Sequence, residues 1–255
     1  MTDLPEIHAL PWWKGGEGGT PSLARFSADF LGRVNPIPRS IATELAARGL
    51  VGIESSSASG RLLSAALSWI ARLPDLASAM YACVSHIHLL AAEAGYDVSH
   101  SEPRWPCTIF VSVPDREDEI GALRLGESIV HEAMHLHLTN RERQTRFVAP
   151  GAGMMRSPWR NEPRPIHGVL HGLYVFSCLS YFFRSLMTEQ LIDVAGHAHL
   201  LRRLTDIREE VRSIDLVALS GSLTNAGTAL ADQCVVITVD YPELADTRAA
   251  TVLTS

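Results

Sequence analysis

From Leu123 to about Asn140 the chain runs through good helix formers with no proline, and inside this run lies ESIVHEAMHLHL, which sets His131 and His135 four residues apart. Residues at that spacing stand one above the other on a helix, so two imidazole nitrogens can aim at one point. The aliphatic residues around them occupy the faces that pack inward. A polar pair in so apolar a helix needs a hydrogen-bonding partner or an ion. The segment therefore predicts a buried central helix with another element brought against its histidines.

The His-Glu-x-x-His spacing suits a metal ion, because two histidines one turn apart can share it. The chain has 11 histidines, and a chance match to this pattern is expected in about 3% of chains of such composition. Glu132 follows His131 and is rotated from it by about 100°, which in a zinc hydrolase would let it reach a metal-bound water. His137 points about 200° away from His135, a placement that favours a structural or surface role. Leu138 and Arg141 stand where metzincins carry a glycine and a third histidine, so that subclass is excluded.

Two histidines make a weak site, and a third ligand is expected from a neighbouring element. His171 ranks first, ahead of His167 one turn earlier, because it sits in an apolar stretch where an inward imidazole needs a partner. Glu162 is set back by Pro163 and Pro165, which prevent the helix on which such a glutamate normally sits. Glu189 lies at a more polar helix end. Such a site leaves open positions, and residue types alone do not choose zinc over iron. Arg160 and Arg164, in SPWRNEPRP, can each clamp a carboxylate in a bidentate pair, or form a solvated basic loop. Trp159 reads as a packing residue.

Around this centre the pattern predicts a mainly α-helical fold with a small β-sheet (α+β). Helical spacing recurs over Arg39 to Ala47, Arg61 to Arg72, Pro74 to about Ala94, Pro165 to Met187 and Ile192 to Ser213. TIFVSV, Thr108 to Val113, reads as a strand and as a docking edge for an extended peptide. CVVITV near the end fits a strand or a buried helix end. Arg141 to Pro165 is too long for a mere connector and is a candidate active-site loop. Residues 1–36, with Trp12, Trp13 and a run of glycines, read as an N-terminal arm, and 37–255 as one helical metalloenzyme domain.

The net charge of −6 gives no electrostatic reason to bind nucleic acid or an anionic membrane. The four cysteines lie far apart with no Cys-x-x-Cys pair, which favours free thiols in a reducing compartment. No apolar run reaches the ~20 residues needed to span a bilayer uninterrupted, and no signal peptide opens the chain. A cytoplasmic protein is expected.

The stretches CTIFVSV, ESIVHEAMHLHL, SPWR and RPIHGVLHG, in this order, resemble the HExxH-domain proteins of peptide natural-product gene clusters, which are similar to 2-oxoglutarate-dependent peptide β-hydroxylases. The resemblance spans roughly Ile37 to Leu186. It implies an Fe(II) enzyme that hydroxylates the β-carbon of a residue in a ribosomally made peptide. His131, His135 and His171 would hold iron, 2-oxoglutarate would chelate it with Arg160 or Arg164 on its distal carboxylate, and dioxygen would take the remaining position. Glu132 would then stand behind the ligands or join them. The residues alone leave two other readings open: a zinc metallopeptidase with Glu132 as general base, and a helical binding protein whose histidines fill a polar pocket or hold a structural metal. The last is disfavoured by the lack of cysteines near the motif.

Overall fold

The structure is a computed structural model that describes residues 23–92, 96–160 and 162–239. Within them the fold is mainly α-helical with a small mixed sheet and a two-stranded ribbon, the predicted class. Trp12, Trp13 and the neighbouring glycines lie outside the described residues.

Helices α1 (Leu23–Leu31), α2 (Arg39–Ala46), α3 (Ser57–Ala71) and α4 (Pro74–Cys83) come first. Leu23–Leu31 falls within the stretch read as an arm, yet α1 sinks Phe26 and Phe30 fully into the core, their rings stacked at 4.4 Å. Helix α3 opens on a capping box in which Ser56 and Ser59 satisfy each other's backbone N–H. Pro74 takes the first turn of α4, where its missing N–H is no loss.

The third predicted helix does not continue to Ala94. It ends at Cys83, and His86–Ala91 is strand β1. Ile87 to Leu90 are buried on both faces, and HIHLLA alternates only over its first three residues before the apolar Leu89 to Ala91, a stretch too short to separate strand from helix. What decides it is tertiary pairing: β1 runs parallel to β3 (Thr108–Val113), with His86 opposite Thr108 and Ala91 opposite Val113. The short β2 (Ser99–His100) pairs antiparallel on the other side, giving the order β1-β3-β2. β3 is thus the central strand, and its flanks are taken by β1 and β2. It offers no long free edge to a peptide, contrary to the sequence expectation; among the described residues that edge belongs to β2.

Helix α5 (Glu119–Glu142) is the centre of the molecule and touches α3, α4, the sheet, α6 (Ile166–Thr188) and α7 (Val194–Arg212). Its N-terminus is capped by Asp118, whose carboxylate accepts the Gly121 N–H at 3.0 Å. Between α5 and α6 the candidate loop folds into a ribbon, β4 (Met154–Ser157) with β5 (Glu162–Pro165), whose turn carries Trp159 and Arg160. β5 passes directly into α6, so that turn stays beside the first turns of the helix. After α7 come α8 (Leu216–Ser220) and α9 (Asn225–Val239). CVVITV is the end of α9, where packing on α6 and α7 outweighs the β preference of valine and isoleucine.

One main core fills the space among the helices, and a smaller one of Leu45, Leu90 and Phe110 covers the far face of the sheet. Among the described residues, α6 alone is long and apolar enough to cross a membrane by length and composition, and 78% of that window is buried inside the protein, as for a core helix. Each of its fully buried leucine, valine and phenylalanine side chains contributes roughly 1.5–3 kcal/mol.

Candidate metal centre on the α5–α6 seam

Helices α5 and α6 run antiparallel, and each carries two histidines one turn apart on the face turned to the other. On α5 the His131 and His135 rings stand 4.9 Å apart at 68°. On α6 the His167 and His171 rings stand 4.3 Å apart. The pairs meet at His135 and His171, whose Nδ1 atoms are 3.3 Å apart. The four rings therefore form a row, His131, His135, His171, His167, reaching from the partly exposed His131 past the buried His171 to the exposed His167.

Glu142, two turns beyond His135 on α5, closes the outer end. Its Oε2 accepts from His171 Nε2 at 3.1 Å and from His167 Nε2 at 2.9 Å. Burial alone would raise the Glu142 carboxyl, but the hydrogen bonds from His167 and His171 outweigh it and bring it down to about 2. The same contact raises His167. With its Nε2 engaged, His171 presents its Nδ1 to His135.

The inner imidazoles stay neutral near pH 7. Burial, then the positive charges of Arg160 and Arg203, lower His131 to about 4. Burial and the neighbouring His131 lower His135 to about 3. A neutral imidazole is the form that binds metal, so the environment that resists protonation leaves lone pairs free for an ion.

Of the three predicted ligands, His135 touches both others, His131 along its own helix and His171 across the seam. The group of three whose ligand atoms all lie within 4.8 Å of one another, among the described residues, is Glu142, His167 and His171. The sequence reading ranked His167 behind His171 and did not weigh Glu142. The signal for Glu142 was there: seven residues after His135 is close to two turns, which returns to the same face.

Glu132 is buried and faces the sheet. The hydroxyls of Ser99 and Ser101 donate to its two carboxylate oxygens at 2.7 and 2.6 Å. His131 Nε2 lies 4.0 Å from its Oε1. Glu132 thereby ties α5 to β2, a link between residues about thirty apart that local sequence does not reveal. His137 has a structural role: its Nδ1 bonds the Tyr174 hydroxyl at 2.7 Å inside the seam.

The ribbon turn is fastened by Trp159. Its ring lies directly on Gly172, where an added Cβ would come within 2.4 Å of it, and stacks on Phe176 at 5.1 Å and 11°. Phe176 in turn meets the edge of His131 at 5.6 Å. Arg160 is exposed, its charge reaches His131, and it forms no ion pair or hydrogen bond among the described residues. Arg164 lies along the first turn of α6 near Gly168 and stands 3.9 Å from Glu162.

No protein-family model matches the chain, and a search of curated proteins gives no match.

Proposed function

We propose that this chain is an Fe(II)- and 2-oxoglutarate-dependent oxygenase that hydroxylates the β-carbon of a residue in a ribosomally made peptide, with His131, His135 and His171 as its metal ligands. The observation that carries the reading is the meeting of His135 and His171 with Nδ1 atoms 3.3 Å apart, beside His131. Two ligands each about 2.0–2.2 Å from one ion stand about 3.0 Å apart at right angles and about 3.3 Å apart in a tetrahedron, so His135 and His171 stand at ligand spacing, and His131 joins them by turning its ring. The ordered sequence blocks that resemble the peptide hydroxylases add the choice of iron and of 2-oxoglutarate.

Each residue has a definite part. Glu142 accepts a hydrogen bond from the Nε2–H of His171 and fixes that ring with Nδ1 inward, the arrangement that orients a histidine ligand and raises its basicity. Arg160, unpaired among the described residues and near His131, is the better placed guanidinium for the distal carboxylate of 2-oxoglutarate. Arg164 is drawn towards Glu162. Phe176 and Trp159 form an apolar wall that keeps water from the reacting carbon. Glu132, with a serine hydroxyl on each oxygen, is better suited to holding α5 in place than to activating a water. The free edge of β2, next to Ser99, is the place for an extended peptide. When bound, iron, 2-oxoglutarate and dioxygen together supply the power to replace C–H by C–OH, releasing succinate and carbon dioxide.

The test is reconstitution with Fe(II) without oxygen, then addition of 2-oxoglutarate, a candidate precursor peptide and air. A peptide heavier by one oxygen atom, with matching succinate, is expected, and His171→Ala should abolish both. Arg160→Ala should raise the KM for 2-oxoglutarate about 10–100-fold, the worth of a charge-assisted contact, with Arg164→Ala much milder. Cleaved peptide with zinc bound would select the metallopeptidase with Glu132 as base. Neither product from a metal-loaded protein would refute the oxygenase.

A further inference from the structure

We propose that Glu142, His167 and His171 form a second divalent-cation site at the outer end of the seam, suited to an ion of the zinc, cobalt or nickel class. Three features carry this. The ligand atoms converge, with both Nε2 atoms within 3.1 Å of a single carboxylate oxygen and all three groups within 4.8 Å of one another. Ligands around a tetrahedral ion stand about 3.3 Å apart, so loading requires that each Nε2 give up the proton it shares with the carboxylate, to Nδ1 or, from an imidazolium, to solvent, and turn the lone pair so formed to the ion.

The second feature is the helical spacing. His167 and His171 repeat on α6 the arrangement of His131 and His135 on α5, and Glu142 joins them from the facing helix, so the ligands come from two rigid elements. The third is access: His167 is exposed and Glu142 half-buried, so an ion can enter from solvent and keep water in its remaining positions. Two imidazoles with one carboxylate suit borderline ions better than calcium or magnesium, which prefer all-oxygen shells.

His171 belongs to both groups through different atoms, Nδ1 towards His135 and Nε2 towards Glu142. If both ions are present, the ring gives up its last N–H proton to solvent and bridges them as an imidazolate. The outer site stands on Glu142 and His167 and does not depend on the oxygenase reading.

The experiment is a count of ions per chain after chelator stripping and reloading with zinc or cobalt, on the full chain and on His131→Ala, His167→Ala and Glu142→Gln, with circular dichroism to verify folding. Two ions are expected in the unaltered protein, with one surviving each substitution. Loss of a direct ligand should weaken the outer ion by more than the about 10–100-fold typical of losing an outer partner. One ion that survives His131→Ala but not His167→Ala also supports the outer site, and then the inner ligand set fails instead. A single ion whose affinity is unchanged by His167→Ala and Glu142→Gln overturns the proposal, as does a single ion lost equally with His131 or His167.

Discussion

Replacing Gly172 by alanine sets two opposed effects against each other. Alanine in a helix interior is favoured over glycine by about 1 kcal/mol, so on helix preference alone α6 should gain. The new methyl, however, would stand 2.4 and 2.5 Å from Cζ3 and Cε3 of Trp159 and 3.1 Å from Cη2. Carbon atoms in contact prefer about 3.5–4.0 Å, so the indole must retreat by about 1 Å. It is stacked on Phe176, and part of that contact, about 0.5–1.5 kcal/mol, is lost with the move. Overpacking of this kind costs about 1–3 kcal/mol. The expected net effect is a destabilisation of about 1 kcal/mol, read as a lower urea midpoint at unchanged slope. With Trp159→Ala already in place the clash is gone, and the same change should stabilise by about 1 kcal/mol, a coupling of about 2 kcal/mol in the double-mutant cycle. If Gly172→Ala stabilises the unaltered protein as much as it stabilises the Trp159→Ala protein, the indole is not seated on Gly172 and the placement of Arg160 loses its support.

Asp118→Ala should cost about 1 kcal/mol through loss of the cap on α5. Arg116 and the Gly121 N–H hold the Asp118 carboxyl down to about 2, below its ordinary value near 3.9. Its contribution is therefore full above about pH 4 and fades as the pH falls through about 2, so the two proteins should converge in acid; a gap that persists at pH 2 would rule out the carboxylate as its source. Ser99→Ala together with Ser101→Ala leaves the buried Glu132 without its donors and should lower stability by about 2–5 kcal/mol, whereas an unchanged melting temperature would mean that the clasp is idle. Burial pushes Cys83 and Cys178 well up and Cys234 up to about 12. A thiol reagent should therefore modify the partly exposed Cys107 in the native protein and reach the other three only on unfolding; rapid modification of all four would contradict the packing.

The two seam helices were legible in the sequence because each is long, apolar at helical spacing and free of internal proline, and because His131, His135 and His171 sit where an apolar surface demands a reason for them. β1 was not, since its middle is buried on both faces and its alternation breaks off after His88, and its partner lies about twenty residues away. The fastening of Trp159 on Gly172 was hidden for a related reason: a glycine beside a histidine carries no sign of which ring needs the room. Glu142 is written in the helical period, two turns after His135, but a carboxylate near a helix end is ordinary on a solvated face, and only the docking of α6 gives it imidazole partners. Of the serines that hold Glu132, Ser99 lies on the short edge strand and Ser101 just after it, and their position depends on the whole sheet.

The bond between His137 and the Tyr174 hydroxyl fixes how far α5 can slide along α6. Tyr174 is all but inaccessible to water, so a shift of one turn, about 5.4 Å, would take this partner from a buried hydroxyl at about 1–3 kcal/mol. That penalty makes the bond a vernier stop: it rejects the neighbouring alignments of two greasy cylinders whose leucines and valines would tolerate several. A substitution there, outside the row itself, would blur the alignment of every imidazole in it.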